Sequence, residues 1–165
     1  MRHTVIDSPL GEITLAADDD ALVGVWLAGQ RHRPGDEQLG DRLGDDEAAT
    51  DPVLAPARAQ LAEYLAGRRE EFTVPTRAAG TPFQRAVWDA VAAIGYGRTR
   101  TYRQLADDIG RATAVRAVGA AVGRNPVCLV VPCHRVVGAD VSLTGYAGGL
   151  ERKQWLLARE QSIAS

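Results

Sequence analysis

Two adjacent residues, Cys133 and His134, carry the side chains of this sequence that are best suited to nucleophilic chemistry. A thiol attacks as its thiolate, and a free cysteine, whose pKa is about 8.5, is mostly protonated at neutral pH. A neighbouring histidine can accept that proton, directly or through a water, and a carboxylate can orient the histidine. Glu160 is a candidate for that carboxylate, although spacing alone does not bring it close. A buried thiol beside a surface imidazole is the alternative on these two residues alone.

The chain contains one other cysteine, Cys128, and three scattered histidines. A structural zinc site needs four ligands, so this set predicts no metal, and no sequence feature calls for a cofactor. The N-terminus has no apolar leader segment, and no apolar run reaches the ~18 residues of a membrane span. We therefore expect a cytoplasmic protein with no membrane association, whose cysteines stay reduced. Cys128 is then a core residue.

The segment before the nucleophile is the apolar run VCLVV, residues 127–131. Its length and β-branched content predict a buried strand that ends at Pro132-Cys133. A glycine-rich loop, 145–149, and a last helix over 150–159 follow it. The sequence therefore places the nucleophile at the end of a short active-site strand.

Three helices are predicted between residues 81 and 123. The first begins at Thr81-Pro82, a capping residue followed by proline at the first helical position, and ends near Gly95. The second begins at the Thr101–Gln104 capping box and ends at Gly110, and the third covers 113–122. The short turn between the second and third helices is typical of a helix-turn-helix.

The third helix, AVRAVGAAVG, consists almost entirely of small residues and has one long cation, Arg116. A helix that reads bases in the major groove normally carries several polar side chains. Small residues allow a close approach to a backbone or a narrow groove, and they equally suit a tightly packed core helix. Both interpretations stay open on composition alone.

The N-terminal half reads as a small antiparallel meander over residues 4–28. An exposed loop over 29–51, a helix over 52–69, a strand at 72–75 and a linker at 77–80 are predicted after it. We expect an α/β (α+β) fold in two domains. Residues 1–76 form a small sheet-and-helix domain, and residues 81–165 form a mostly helical domain with the helix-turn-helix and the active-site strand.

Charge is divided unevenly between these halves. The net charge is −2, but residues 1–80 hold 8 basic and 15 acidic side chains, while residues 81–165 hold 11 basic and 6 acidic. The balance is therefore −7 in the first half and +5 in the second. Unless the asymmetry is chance, nucleic-acid binding belongs to the second half.

The segment from Asn125-Pro126 through VCLVV to Pro132-Cys133-His134-Arg135-Val136-Val137-Gly138 resembles the signature of the O6-alkylguanine-DNA alkyltransferases, also called methylated-DNA–protein-cysteine methyltransferases. The resemblance covers residues 81–160, through TPFQRAVWDAV, TYRQLA, RAVGAAVGRNP and LTGYAGGLERKQWLLARE. The N-terminal half is compatible with the smaller sheet domain of that family. It carries no motif of its own.

The resemblance implies a monomer that repairs double-stranded DNA containing O6-alkylguanine, with cooperative binding left open. Cys133 would accept the alkyl group irreversibly after base flipping, His134 would deprotonate it through a water, Glu160 would orient His134, and Asn125 would hold the turn before the active strand. The implied substrate-binding residues are Tyr102, Val136, Tyr146, Ala147 and Gly148. The implied contacts with the minor groove and the DNA backbone are Arg116, Ala117, Gly119, Ala120, Ala121, Arg124 and Arg135.

Two departures from the family pattern and three rival functions remain. Asp140-Val141-Ser142 replaces a turn that often holds glycine, and Ala147 stands where serine is common. One rival is a non-catalytic alkylguanine binder of the same fold, which would lack the acceptor cysteine. A second is a cysteine hydrolase, which needs no basic half. A plain helix-turn-helix regulator is the third, and the apolar third helix suits it poorly.

Overall fold

The computed structural model describes residues 1–139 and 145–164. The chain forms two compact units. The first contains residues 1–78 together with 126–128, and the second contains 79–125 and the residues from 129 onwards. The predicted α/β class, a small sheet domain followed by a mostly helical one, is confirmed. The units separate within the segment that the sequence marks as a linker, but residues 126–128 belong to the first unit.

The first unit is built on a four-stranded sheet. Its strands are β1 (Arg2–Ile6), β2 (Ile13–Asp18), β3 (Ala21–Leu27) and β4 (Asp41–Arg42), in the order β3-β2-β1-β4. The pairs β1–β2 and β2–β3 are antiparallel, as the alternating pattern predicted, whereas β4 lies parallel to β1. The meander therefore gains a fourth strand from a segment predicted as loop.

That segment, 29–51, is more ordered than its composition suggested. It contains a 3-10 turn at Asp36–Gln38, strand β4 and helix α1 (Asp45–Thr50). Most of the segment is exposed, as predicted, but the prediction of a loop is wrong because a few buried residues anchor the segment. Leu39 is buried in a cluster with Ala16 and Trp26, residues too distant in sequence for local patterning to detect.

Helix α2 (Leu54–Leu65) lies within the predicted range, and the carboxylate of Asp51 accepts hydrogen bonds from the first turn. The predicted strand at 72–75 is wrong. In its place Leu22 donates to the Pro75 carbonyl at 2.8 Å and accepts from the Arg77 amide at 2.9 Å, which makes one isolated bridge. Pro75 has no N–H to donate, so a longer ladder cannot form.

The predicted strand over 127–131 is also wrong. Val127 bridges Val25 of β3, and Cys128 donates its amide to the Val25 carbonyl at 3.2 Å, but the chain turns at the next residue. Leu129 has φ of 72°, in the left-handed region, which interrupts an extended strand. Hydrophobic content predicted burial correctly but did not detect this turn.

The second unit carries the four predicted helices, with bounds that differ by a few residues. They are α3 (Pro82–Ala92), α4 (Tyr102–Asp108), α5 (Val115–Gly123) and α6 (Leu150–Ala164), with a two-stranded parallel sheet of β5 (Arg100–Thr101) and β6 (Val136–Val137). The predicted capping box at Thr101–Gln104 is present, and the predicted cap Thr81 forms a second one with Gln84. At each, the threonine hydroxyl accepts from the glutamine amide at 3.1 Å, and the glutamine side chain accepts from the threonine amide at 2.9 Å. Among the described residues, no helix has the length and apolarity needed to cross a membrane.

Candidate active site

The nucleophile candidate lies in a 3-10 turn formed by Cys133, His134 and Arg135. All three side chains are buried, and His134 is completely inaccessible to solvent. The amide of Val136 donates to the Cys133 carbonyl, and β6 begins at that residue and pairs with β5. The site therefore starts from a rigid turn rather than from the predicted strand end. The curved backbone places Cys133 and His134 in one buried segment.

Glu160, on helix α6, lies next to this turn and is the candidate carboxylate named from the sequence. Glu160 Oε2 lies 2.9 Å from His134 Nε2, and both side chains are buried. Burial lowers the pKa of His134 below its usual 6.5, and Glu160 opposes that effect. His134 is accordingly neutral at pH 7. A proton on Nε2, facing the carboxylate, makes Nδ1 the basic nitrogen of the ring.

The third residue of the turn, Arg135, was predicted to contact DNA, but its side chain is buried and bonded inside the protein. Its Nε and Nη2 donate to Oε1 and Oε2 of Glu160 at 2.8 and 2.9 Å, and its Nη1 donates to the carbonyl of Ile94 at 2.6 Å. The guanidinium also lies 5.5 Å from the centre of the Tyr96 ring. The prediction is wrong because a sequence does not reveal that an arginine has a buried carboxylate as its partner.

Sequence reasoning missed Lys153, the single lysine beside 18 arginines in this chain. Its side chain is fully buried on α6, and Nζ donates to the carbonyls of Val136 at 2.5 Å and Gly145 at 3.1 Å. Burial lowers its pKa to about 8, while negative charge on Cys133 acts in the opposite direction. An ammonium group near the nucleophile favours its thiolate form.

A pattern in α6 could have revealed this residue. The buried positions of α6 include Lys153, Leu156, Leu157 and Glu160, spaced at i, i+3, i+4 and i+7. That spacing marks one face of a helix, and here the apolar face has a charge at each end. Charged residues in core positions are rarely fully buried without partners, so the pattern indicates a buried polar site.

Tyr102, the first residue of α4, lies on the same side of the turn. Its hydroxyl donates to the Gly145 carbonyl at 3.4 Å. Burial and the negative charge of Cys133 both raise its pKa above 10, so it remains a neutral donor. Gly119 of α5 faces its ring, because a Cβ built there would lie 3.7 Å from Tyr102 Cδ1. The tyrosine therefore links the nucleophile to the helix-turn-helix.

The loop before α6 supplies the other predicted substrate contacts. Tyr146 and Ala147 are half-buried, Gly148 is buried, and the Gly149 amide donates to the Tyr146 carbonyl at 3.0 Å. Val136, at the start of β6, is fully buried. The departure at positions 140–142 lies outside the described residues.

Helix α5 has two distinct faces. Val118, Ala121 and Val122 are buried, and the Ala121 carbonyl accepts a 2.8 Å hydrogen bond from Trp88 Nε1. The predicted DNA contact by the Ala121 side chain is therefore wrong, because that side chain faces the core of the second unit. The remaining predicted residues of this surface are accessible; Gly119 is half-buried and the others are exposed: Arg116, Ala117, Gly119, Ala120 and Arg124.

Asn125 stabilises the backbone that leads to the nucleophile. Its side chain is buried, and Nδ2 donates to the Val131 carbonyl at 2.9 Å across the turn at Leu129. This geometry agrees with the turn-holding position inferred for it. Within residues 1–139 and 145–164, no group of three or more histidine, cysteine, aspartate or glutamate side chains could hold a metal ion.

Replacement of Asn125 by alanine should leave the Val131 carbonyl without its buried donor. The expected loss in the free energy of unfolding is about 1–3 kcal/mol. Urea denaturation of Asn125→Ala measures it, with Arg124→Ala as the exposed neighbour control. A change equal to that of the control would contradict this role.

The fold and the site together define a class of protein in which a buried cysteine next to a paired histidine and glutamate accompanies a helix-turn-helix, a DNA-binding motif. Two family models cover nearly the whole chain. Residues 82–162 match the DNA-binding domain of 6-O-methylguanine DNA methyltransferase, and residues 1–78 match its ribonuclease-like domain. The chain belongs to the methylated-DNA–protein-cysteine methyltransferase family.

Individual relatives agree with this assignment. The methylated-DNA–protein-cysteine methyltransferase of Mycolicibacterium paratuberculosis is 44% identical over 161 residues, which cover 98% of this chain and 93% of that protein. The inducible enzyme of Bacillus subtilis is 45% identical over 87% of this chain and 83% of its own length. The crystal structure of Mycobacterium tuberculosis OGT in complex with DNA superposes with a TM-score of 0.87 at 41% identity, covering 99% of this chain and 94% of that one.

Proposed function

We propose that this protein repairs double-stranded DNA by moving the alkyl group of O6-alkylguanine onto Cys133. The observation that carries the proposal is the 2.9 Å contact between His134 Nε2 and Glu160 Oε2. His134 lies in the same buried turn as Cys133, the only cysteine among the second unit's described residues. Family membership supplies the substrate class. The relatives are named for transfer from methylated DNA to a protein cysteine.

The reaction is a single displacement. The thiolate of Cys133 forms a bond to the alkyl carbon, the bond from that carbon to O6 breaks, and the electron pair stays with guanine. The proton released by the thiol passes through His134 to the guanine product, so the net exchange is one alkyl group for one proton. A thioether has no easy return to a thiol, so each chain acts once.

Several groups of the site match the demands of this step. Burial lowers the pKa of His134, so its ring is neutral at pH 7. A neutral ring can take the thiol proton through a water. The ammonium of Lys153 opposes the negative charge of the thiolate. Tyr102 keeps its proton and offers a donor for the purine, whose developing charge is best met by fixed donors. Val136 and the residues 146–148 complete the proposed guanine site.

The exposed face of α5 is the proposed DNA surface. Ala117, Gly119 and Ala120 present little side-chain bulk, which permits a close approach to the minor groove, and Arg116 projects from the same face. Extrusion of the nucleotide from the duplex is required because a stacked base keeps its O6 substituent out of reach of a buried thiol. We also place the protein in the cytoplasm, where the thiols of Cys128 and Cys133 stay reduced.

Stoichiometric transfer tests this function directly. Duplex DNA with one O6-[³H-methyl]guanine should label the protein to one methyl per chain, even with lesions in excess. The tryptic peptide that ends at Arg135 begins at Asn125 and contains both cysteines, so fragmentation must assign the methyl to Cys133. Repeated turnover, transfer to Cys128 or binding without transfer would overturn the proposal.

A further inference from the structure

Arg135 donates hydrogen bonds to both oxygens of the Glu160 carboxylate. Nε and Nη2 of Arg135 donate to Oε1 and Oε2 of Glu160 at 2.8 and 2.9 Å, and Oε2 also lies 2.9 Å from His134 Nε2. Such bidentate pairing fixes a carboxylate in both position and plane. The orientation of Glu160 toward the histidine is therefore set by the arginine.

The arginine is itself held in place. Its Nη1 donates to the carbonyl of Ile94, two residues beyond α3, and the Tyr96 ring lies beneath the guanidinium. With 6% of its surface exposed, Arg135 has no route to a DNA phosphate in this conformation. Its charge belongs to the interior of the site.

The charge of Arg135 matters because His134 and Glu160 form a coupled buried pair. Without a cation, a buried carboxylate either binds a proton itself or stabilises a proton on its partner. A protonated Glu160 is a weaker acceptor for His134 Nε2–H, and a protonated His134 has no basic nitrogen. The first event makes the histidine a poorer base for the thiol proton, and the second prevents it from taking that proton.

The other charged groups around His134 do not replace this one. Lys153 of α6 also lowers the pKa of His134, but its Nζ donates to the carbonyls of Val136 and Gly145. The negative charge that acts on Lys153 is that of Cys133. Helix α3, which also packs on the turn, buries apolar residues on its inner face, and its charged Arg85 and Asp89 are exposed. Arg135 is the cation bonded to Glu160.

We propose that Arg135 is a positioning residue for alkyl transfer, which keeps Glu160 ionised and oriented and so keeps His134 neutral and basic when the thiol is to be deprotonated. The assignment rests on the proposed function for its role in transfer. The effect on His134 itself is independent of that function and is measured separately below.

The first measurement is the single-turnover rate of methyl transfer against pH, at saturating duplex. In Arg135→Gln the rate at pH 7 should fall about ten-fold or more, and the acid limb should move up by about one pH unit or more. Arg135→Lys retains the charge but not the bidentate geometry. Its acid limb should lie close to the wild-type pH, whereas its rate should recover only in part. Arg2→Gln, which removes a half-buried guanidinium paired with Asp51 in the first unit, should leave the acid limb unchanged.

The second measurement uses ¹⁵N-histidine NMR without DNA. The chain has three histidines, so variants at His3 and His32 assign the His134 signals. The wild type should keep a proton on Nε2 and resist further protonation well below pH 6.5. In Arg135→Gln, His134 should bind a proton at higher pH. In the Glu160→Gln background the same substitution should raise its pKa less, because only the direct repulsion between Arg135 and a protonated His134 is then removed.

These outcomes separate the possibilities. An unchanged His134 titration and acid limb in folded Arg135→Gln, with only a lower melting temperature, would overturn the proposal and leave Arg135 as a stabilising residue. If Arg135→Gln does not fold, the Arg135→Lys and Arg135→Gln/Glu160→Gln proteins decide the same question. If the wild-type protein transfers no methyl group but Arg135→Gln still shifts the His134 titration, the proposed function is refuted and the electrostatic role of Arg135 is retained.

Discussion

Cys133→Ala is expected to accept no methyl group from O6-methylguanine while still binding the duplex. The alanine has no lone pair to attack the alkyl carbon, and the substituted side chain is 3% exposed, so the DNA surface on α5 is untouched. Protein-bound label measures transfer, and fluorescence anisotropy of a lesion-containing duplex measures binding. The expected result is label at background with affinity retained.

Cys128→Ala is the matched control for this variant. Cys128 is also buried, but it belongs to the first unit, where Gln30 Nε2 donates to its sulfur at 3.1 Å. Its replacement should cost about 1 kcal/mol of stability and leave one methyl per chain. If transfer persisted in Cys133→Ala and disappeared in Cys128→Ala, the alkyl acceptor would be Cys128 and not Cys133.

Lys153→Met is expected to slow methyl transfer at pH 7 by about 10–100-fold. Removal of the ammonium should raise the pKa of the Cys133 thiol by about one to two units, which leaves less of the reactive thiolate. Methionine approximates the length of the lysine side chain without its charge. It also leaves the carbonyls of Val136 and Gly145 without the donor that joins β6 to the loop before α6. Arg159→Met, which removes a cation stacked 5.6 Å from the Trp155 ring on the same helix, should transfer at close to the wild-type rate.

The single lysine allows a direct measurement of this charge. Protein labelled with ¹³C,¹⁵N-lysine has one lysine side-chain signal, which should titrate near pH 8 because burial lowers the pKa of Lys153 from 10.5 to about 8. Methylation of Cys133 should lower that pKa further, since a thioether carries no negative charge to favour the ammonium. A lysine that titrates near 10.5 in both states would contradict the buried-charge interpretation.

Stability should follow the same titration. The folded state binds the Lys153 proton less tightly than the unfolded state, so this group makes the free energy of unfolding rise as pH increases from about 8 to 10.5. Lys153→Met should lack that component. Urea denaturation of both proteins at the two ends of the range measures the difference, and taking the difference cancels the titration of the tyrosines.

Signals within a few residues of each other predicted much of this fold. The capping boxes at Thr81 and Thr101 place the starts of α3 and α4, because a cap is a contact between residues three positions apart. Period-two alternation placed the first three strands for the same reason. The segments that failed, 29–51 and 127–131, depend on Leu39 packing in a distant cluster and on a turn at Leu129.

The sequence by itself determined the family, the nucleophile candidate Cys133 with His134, and the helix-turn-helix, since each is a matter of residue type and short spacing. Only the tertiary structure decided which charges enter the site. Helix α6 carries Lys153 and Glu160 on one buried face across two turns, and this places a lysine near the thiol and a carboxylate between His134 and Arg135. An arginine in a basic half of a DNA-binding chain is expected at a phosphate. A buried carboxylate 25 residues further along the chain holds Arg135 inside instead, because an uncompensated charge at that depth would be strongly destabilising.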